Sequence, residues 1–469
     1  MKTFCKDVLK RLAVSTVSTA LFAILSILIF SFVLSTLFNK QKIVVENGSF
    51  LVLDLRMNLT DRPGGFQVED LTRQALTDRA APPTFHLLEV LQALKKAARD
   101  KKIAGVFVQG GFAPSGYGCG YGSILELIEG LRSFKESGKS VIGFCQSPSQ
   151  LDYLVYSVCS ELHMDPSGTL VLNGLAQEQT FLGETLEKYG VGIQVVRVGE
   201  FKGAVEPFTS TGFSEENRLQ IHRLLQARWA NYLDNIFTNR PLAVTLSDLN
   251  ASLDEGFILV PSYAEKVGLV DEVSSYDLIL DRLSEVGTLD EESKEYSRVS
   301  LLNYIDRPTS SVEKESKNNN GIPKVAVLYV EGAIVDGWVD DGLSAGGDLI
   351  SKRIRDIRKD SRYKALILRV NSPGGSVSGS DVILSEIRRA KRDGLPVVVS
   401  MGAVAASGGY WIASECDRLF AGGQSITGSI GVFGILPNVE ELGARFGIHW
   451  DVVKTMDSSD FMGISRPKT

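Results

Sequence analysis

The sequence predicts an α/β protein of two similar domains in tandem, preceded by an N-terminal transmembrane helix. Three observations carry this reading. Residues 12–38 contain no charged side chain. Beyond them, apolar runs of β character alternate with helical patterns, twice along the chain. The two passages share a register: Tyr153 and Tyr410, Gly190 and Gly447, and Val195-Val196-Arg197 and Val452-Val453-Lys454 are each 257 residues apart.

The uncharged run is 27 residues long, and about 20 apolar residues suffice to cross a bilayer. It ends in Ser-Thr-Leu-Phe-Asn-Lys, without the small-x-small exit of a cleavable signal, so it is expected to stay as an anchor. Lys2, Lys6, Lys10 and Arg11 precede it and only Lys40 and Lys42 follow closely. That bias places residues 1–11 in the cytoplasm and the rest on the outer side of the membrane.

A strand is expected over 48–55 and a polar loop with Pro and Gly over 61–83. Strands follow at 103–108, 141–144 and 193–198, with helices at 123–136, around Tyr153 and, amphipathic, at 214–237. Residues 309–321, rich in Ser, Lys, Glu and Asn, read as a linker between a first domain, 48–308, and a second, 322–469. The second repeats the order, with strands at 325–330, 365–370 and 397–400, a helix at 381–392 and another from Ser407. Adding 257 to the stretch 264–271 passes Thr469, so the second domain is read as truncated at its C-terminus. Apolar surface would be left uncovered and assembly less complete.

Composition narrows the partners. With 44% hydrophobic and 23% charged residues the chain is not of the disordered class. A net charge of −6, with no basic stripe, gives no nucleic-acid partner. The five cysteines and four histidines lack metal-ligand spacing, so no metal is predicted. Cys145 and Cys159, in apolar surroundings, read as small core residues. His449 falls in a strand-like apolar run, 446–450.

The chemistry-bearing residues cluster in the second domain. Asn371-Ser372-Pro373-Gly374-Gly375 closes a strand, and adjacent glycines let backbone N–H groups approach a phosphate or a developing oxyanion. After the next strand comes Ala406-Ser407-Gly408-Gly409-Tyr410, a lone hydroxyl where a helix begins. Ser407 is either a nucleophile at an anion-stabilising helix start or an N-cap. No Gly-x-Ser-x-Gly elbow is present, and the only later histidine is His449, so a Ser-His-Asp triad is a poor fit. A lysine can be the base if burial keeps it neutral. Lys202 sits among small and apolar neighbours, Val198 to Phe208, whereas Lys95, Lys96, Lys101 and Lys102 form a charged face; taken alone, Lys202 reads as a snorkelling surface residue. The register favours the pair. The position 257 before Ser407 is Gln150 and that 257 after Lys202 is Ser459, so each half holds one partner and lacks the other.

Four motifs in order, Lys202-Gly203-Ala204-Val205-Glu206-Pro207-Phe208, Asn371 to Gly375, Ala406 to Tyr410 and Thr427-Gly428-Ser429-Ile430-Gly431, resemble the long two-domain signal peptide peptidases (protease IV type) of the bacterial S49 family. The resemblance runs from the anchor nearly to the last residue. It implies tandem ClpP/crotonase-like domains, a homo-tetramer at the cytoplasmic membrane with its catalytic domains on the periplasmic side, and apolar signal peptides as substrates. It also implies a Ser407/Lys202 dyad, an oxyanion site near the N–H groups of Gly374, Gly375 and Gly408, and Ser429 orienting the lysine. No cofactor is implied. The loop 110–122 looks like a decayed copy of the Gly374-Gly375 turn. Two other classes share these features in part: a crotonase-like acyl-CoA enzyme, and a membrane scaffold that keeps the fold without turnover.

Overall fold

The computed structural model describes residues 45–63, 82–114, 118, 120–290, 293–305 and 323–468. The expected cytoplasmic tail, anchor and linker lie outside these residues. Among the described residues no helix is long and apolar enough to cross a membrane.

The first half runs β1 (Ser49–Asp54), α1 (Leu87–Arg99), β2 (Ile103–Gln109), α2 (Tyr121–Glu136), β3 (Ser140–Cys145), α3 (Gln150–Tyr156), β4 (Glu161–Met164), α4 (Gly183–Lys188), β5 (Gly192–Val198), α5 (Glu215–Asn239), β6 (Glu272–Val273) and β7 (Arg298–Ser300). The second runs β8 (Lys324–Glu331), α6 (Gly347–Lys359), β9 (Tyr363–Ser372), α7 (Val377–Arg392), β10 (Val397–Ala406), α8 (Gly408–Ala413), β11 (Arg418–Phe420), β12 (Ile426–Gly428), β13 (Val432–Asn438) and α9 (Glu440–Arg445). Shorter elements fill the connections.

These elements follow from local chemistry. On α1, Leu87, Val90, Ala93, Leu94 and Ala97 are buried, a spacing that puts them on one helical face. Ser149 and Asp152 form a reciprocal capping box that starts α3. β2 and β3 bury consecutive residues, Val106 to Val108 and Val141 to Ile142, as expected where helices cover both faces of a parallel sheet.

Each half has its own parallel sheet. The first has strand order β6-β4-β3-β2-β1-β7; the second is β8-β9-β10-β11, with β12 also joined to β10. Both belong to one compact unit, residues 47–469. The repeat is visible in the elements themselves: β3 and β10 begin 257 residues apart, and so do α4 and α9.

Two features depart from the expected parallel pattern. β5 joins neither sheet; it pairs antiparallel with β13 of the other half, from Val198 opposite Val432 to Gly192 opposite Asn438. The expected strand around His449 is absent, and residues 446–455 carry no strand. By the 257-residue register this stretch is the copy of β5, and the copy of β13 before it, residues 175–181, is irregular too. A lone extended segment has nowhere to place its backbone hydrogen bonds.

Candidate active site

Lys202 follows the end of β5. Gly199, at φ 106°, turns the chain, and Lys202 comes to rest only 7% exposed. The loop is fixed from below by Glu206, whose carboxylate accepts from Ser214 Oγ (2.6 Å) and Asn217 Nδ2 (2.9 Å) at the start of α5. Gln220, one turn on, donates to the Phe201 carbonyl at 3.0 Å. Burial pushes the Glu206 carboxyl up, but the bonds from Ser214 and Asn217 outweigh it and hold the group below its ordinary value.

Ser407 stands between β10 and α8 at φ 52°, ψ −119°. Its N–H donates to the Gly428 carbonyl at 2.8 Å, and its side chain makes no capping bond. Of the two readings open for this hydroxyl, the N-cap is therefore not the one realised. A positive φ on a residue with a Cβ costs about 1–3 kcal/mol and persists only where surrounding structure imposes it. Ser429, at φ 50°, shares the feature.

These residues meet at the lysine amine. Lys202 Nζ lies 3.1 Å from Ser407 Oγ, 2.7 Å from the Ser429 carbonyl oxygen and 3.0 Å from Ser429 Oγ. Burial alone pushes its pKa down, and among the described residues no carboxylate forms an ion pair with it. A neutral amine has two hydrogens and one lone pair. The Ser429 carbonyl can only accept, so it takes one hydrogen and Ser429 Oγ takes the other, leaving the lone pair for the Ser407 O–H.

The neighbouring turn supplies donors. The Gly375 and Gly408 N–H groups have no acceptor among the described residues, and both border the groove at Ser407. The Gly374 N–H, expected to share this role, instead donates to Ser372 Oγ at 3.1 Å. Gly374 contributes by its missing side chain: at φ 91°, a Cβ there would stand 2.4 Å from the Gly408 nitrogen and block the cradle.

Lys202, Gly374, Gly375, Ser407, Gly408 and Ser429 all line one groove of about 1100 Å³. Phe181, Phe201, Trp411 and Ile430 give it an apolar wall. Two residues were given no role by sequence reasoning. Ser372, fully buried, donates to the Gly332 carbonyl at 2.6 Å while accepting from Gly374, and so holds the glycine turn. Glu206 was visible inside the lysine motif, but its partners Ser214 and Asn217 belong to the next helix.

Among the described residues the first half has no such constellation. Gln150, at the position matching Ser407, uses its amide to clamp the backbone of Gly174, donating to its carbonyl at 2.9 Å and accepting from its N–H at 3.0 Å. His163 is a core residue held by Ser274 Oγ and Glu161. Cys145 and Cys159 are buried, and burial pushes the Cys159 thiol up to about 12.

Comparison with known proteins places the chain in a family. The pattern of "Peptidase family S49" matches residues 133–290 and 389–469, just over half of the chain, and so takes in both Lys202 and Ser407. "Protease 4" of Haemophilus influenzae is 33% identical over 448 residues, covering 91% of this chain and 69% of that protein. The chain belongs to peptidase family S49. By that membership it is a serine peptidase. "Protease 4" of Salmonella typhi, another relative of this S49 chain, is 33% identical over 419 residues, 87% of this chain and 65% of that protein. The chain thus spans about two thirds of these relatives' length. A solved enoyl CoA isomerase from M.smegmatis covers 43% of this S49 chain and 70% of its own, at 13% identity and a TM-score of 0.21, a likeness that carries no argument.

Proposed function

We propose that this S49 chain is a membrane-anchored endopeptidase that degrades cleaved signal peptides and other apolar peptides with a Ser407/Lys202 dyad. The observation that carries the reading is Lys202 Nζ, buried without a carboxylate partner, 3.1 Å from Ser407 Oγ. In this mechanism neutral Lys202 takes the proton of Ser407 as its Oγ attacks the peptide carbonyl. The Gly375 and Gly408 N–H groups receive the oxyanion. Lys202, now an ammonium oriented by Ser429, returns the proton to the departing amine, and water repeats the sequence on the acyl-enzyme. The apolar wall of the groove suits hydrophobic segments of the kind a signal peptide releases. A serine-directed fluorophosphonate is expected to label Ser407 in the native protein and to fail after Lys202→Ala; equal labelling of both proteins would refute the dyad and favour an acyl-transfer site of another kind.

The same reading gives each half a ClpP/crotonase-like domain, assembled as a homo-tetramer on the outer face of a bacterial cytoplasmic membrane. The uncharged run 12–38 with its preceding basic residues supports that placement. Protease added to spheroplasts is expected to digest the large unit and spare the N-terminal tail. Protection of the large unit in intact spheroplasts would reverse the topology.

A further inference from the structure

The two halves share one β ladder, in which β5 of the first lies antiparallel to β13 of the second, from Val198 opposite Val432 to Gly192 opposite Asn438. The 257-residue repeat gives each of these strands a copy in the other half. The copy of β13 is 175–181, in the first half, and the copy of β5 is 449–455, in the second. One strand is moved back and the other forward by the same number of residues, so the register carries over. Leu175 would stand opposite Thr455 at one end, and Phe181 opposite His449 at the other.

Neither copy finds a partner in its own chain. Among the described residues no backbone group of 175–181 or of 449–455 is hydrogen-bonded to another backbone group, and neither stretch belongs to a strand. Both are nevertheless suited to one. Trp450, Val452, Val453 and Thr455 are of the types that favour strands, and Val453 is 99% exposed. In the first half Gln177, Gln179 and Phe181, every second residue, line the catalytic groove, which is the side-chain alternation of an extended chain. The backbone of such a segment is an open edge whose N–H and C=O groups call for a second strand. In the inherited register Glu178 is a diagonal neighbour of Lys454, and no like charges are opposed.

We propose that residues 175–181 of one chain pair with residues 449–455 of a second copy, in an antiparallel ladder of that register, and that this ladder joins protomer to protomer. Each chain offers one segment of each kind, so the contact is head-to-tail and every protomer has two neighbours. The joint between chains then repeats the joint between halves without its chemistry, because Gln150 and Ser459 take the places of Ser407 and Lys202. Since 175–181 also lines the catalytic groove, the second copy's strand completes one of the groove's walls. The inference rests on the homo-oligomer of the proposed function, whose contact it names, and not on the dyad.

Disulfide trapping in the full chain, solubilised in detergent, tests it. Gln177→Cys and Val453→Cys, carried by two differently tagged chains and co-expressed, are expected to join the two tags on mild oxidation, because side chains opposed in a ladder stand about 4.5–5.5 Å apart. Gln177→Cys with Asp451→Cys, two residues out of register, is expected to trap at least about tenfold less, and either variant alone no more than the parent chain with its native cysteines. Val452→Pro/Val453→Pro reads the ladder independently: of two successive strand residues one N–H faces the partner, and proline has none. Light scattering is expected to give this variant the mass of a single chain, with unchanged far-UV circular dichroism, where the parent is oligomeric. A single-chain parent refutes the homo-oligomer and this contact with it. An oligomeric parent that fails to trap the 177/453 pair, traps the shifted pair equally, or stays assembled with both prolines overturns the ladder alone. Ser407→Ala is expected to trap and assemble as the parent does, so failure of the dyad leaves this inference standing.

Discussion

Replacing either Ser407 or Lys202 by alanine is expected to lower kcat for a peptide ester by at least about 10³-fold, with the double variant no slower than either single one. The attack needs both groups at once: without the amine the serine O–H keeps its proton, and without the serine the amine has nothing to activate. Lys202→Arg is expected to be as inactive, because a guanidinium stays protonated. The pH profile carries the same signature. Burial lowers the Lys202 pKa, so the active, neutral form is present above that lowered value. Activity is lost as pH falls through it and the amine gains a proton. Steady-state kinetics of the purified variants decide the matter; near-normal turnover by Lys202→Ala would sink the dyad.

The second large effect is on stability. Arg369 of β9 donates to Asp61 Oδ1 at 2.9 Å, to Glu126 of α2 at 2.6 Å and to Ser400 Oγ at 2.9 Å. Asp61, 3% exposed, also accepts from Ser123 Oγ of α2 at 3.1 Å. The guanidinium thus ties a second-half strand to two first-half elements through buried charge. Arg369→Ala is expected to cost about 3–5 kcal/mol, since it strands the Asp61 carboxylate in the interior. Arg369→Ala/Asp61→Ala should recover part of that loss by removing the orphaned charge. Urea unfolding followed by tryptophan fluorescence measures both. A single-variant loss below about 1 kcal/mol would show that the cluster is solvated and mechanically unimportant.

Much of this architecture was legible because it depends on local pattern. Apolar spacing on α1 and continuous apolar runs in β2 and β3 are properties of short segments, and the 257-residue register follows from the chain alone. The site was legible for a different reason. Taken singly, Lys202 and Ser407 each left an ordinary reading open; the register that gives each half one partner, and the four motifs in order, drew them together. What escaped was pairing at a distance. A strand pattern such as β5 states that a partner edge is needed but not which one, so its union with β13 was read as part of a parallel sheet. The apolar run around His449 has the right residues for a strand and no edge to join. The Gly374 N–H could not be seen to be engaged until the buried Ser372 hydroxyl was placed beneath it.

The antiparallel union of β5 with β13 also orders events during synthesis. Lys202 leaves the ribosome more than two hundred residues before Ser407 and Ser429. Through that interval β5 has no edge to bind, and the amine has neither the hydroxyl it would activate nor the Ser429 carbonyl that orients it. The constellation closes only after Val432–Asn438 has been made and has paired across the halves. On the proposed dyad, a nascent or interrupted chain that stops short of β13 would therefore be without peptidase chemistry, and the newly made protein would acquire the means to cut peptides only as its two halves join.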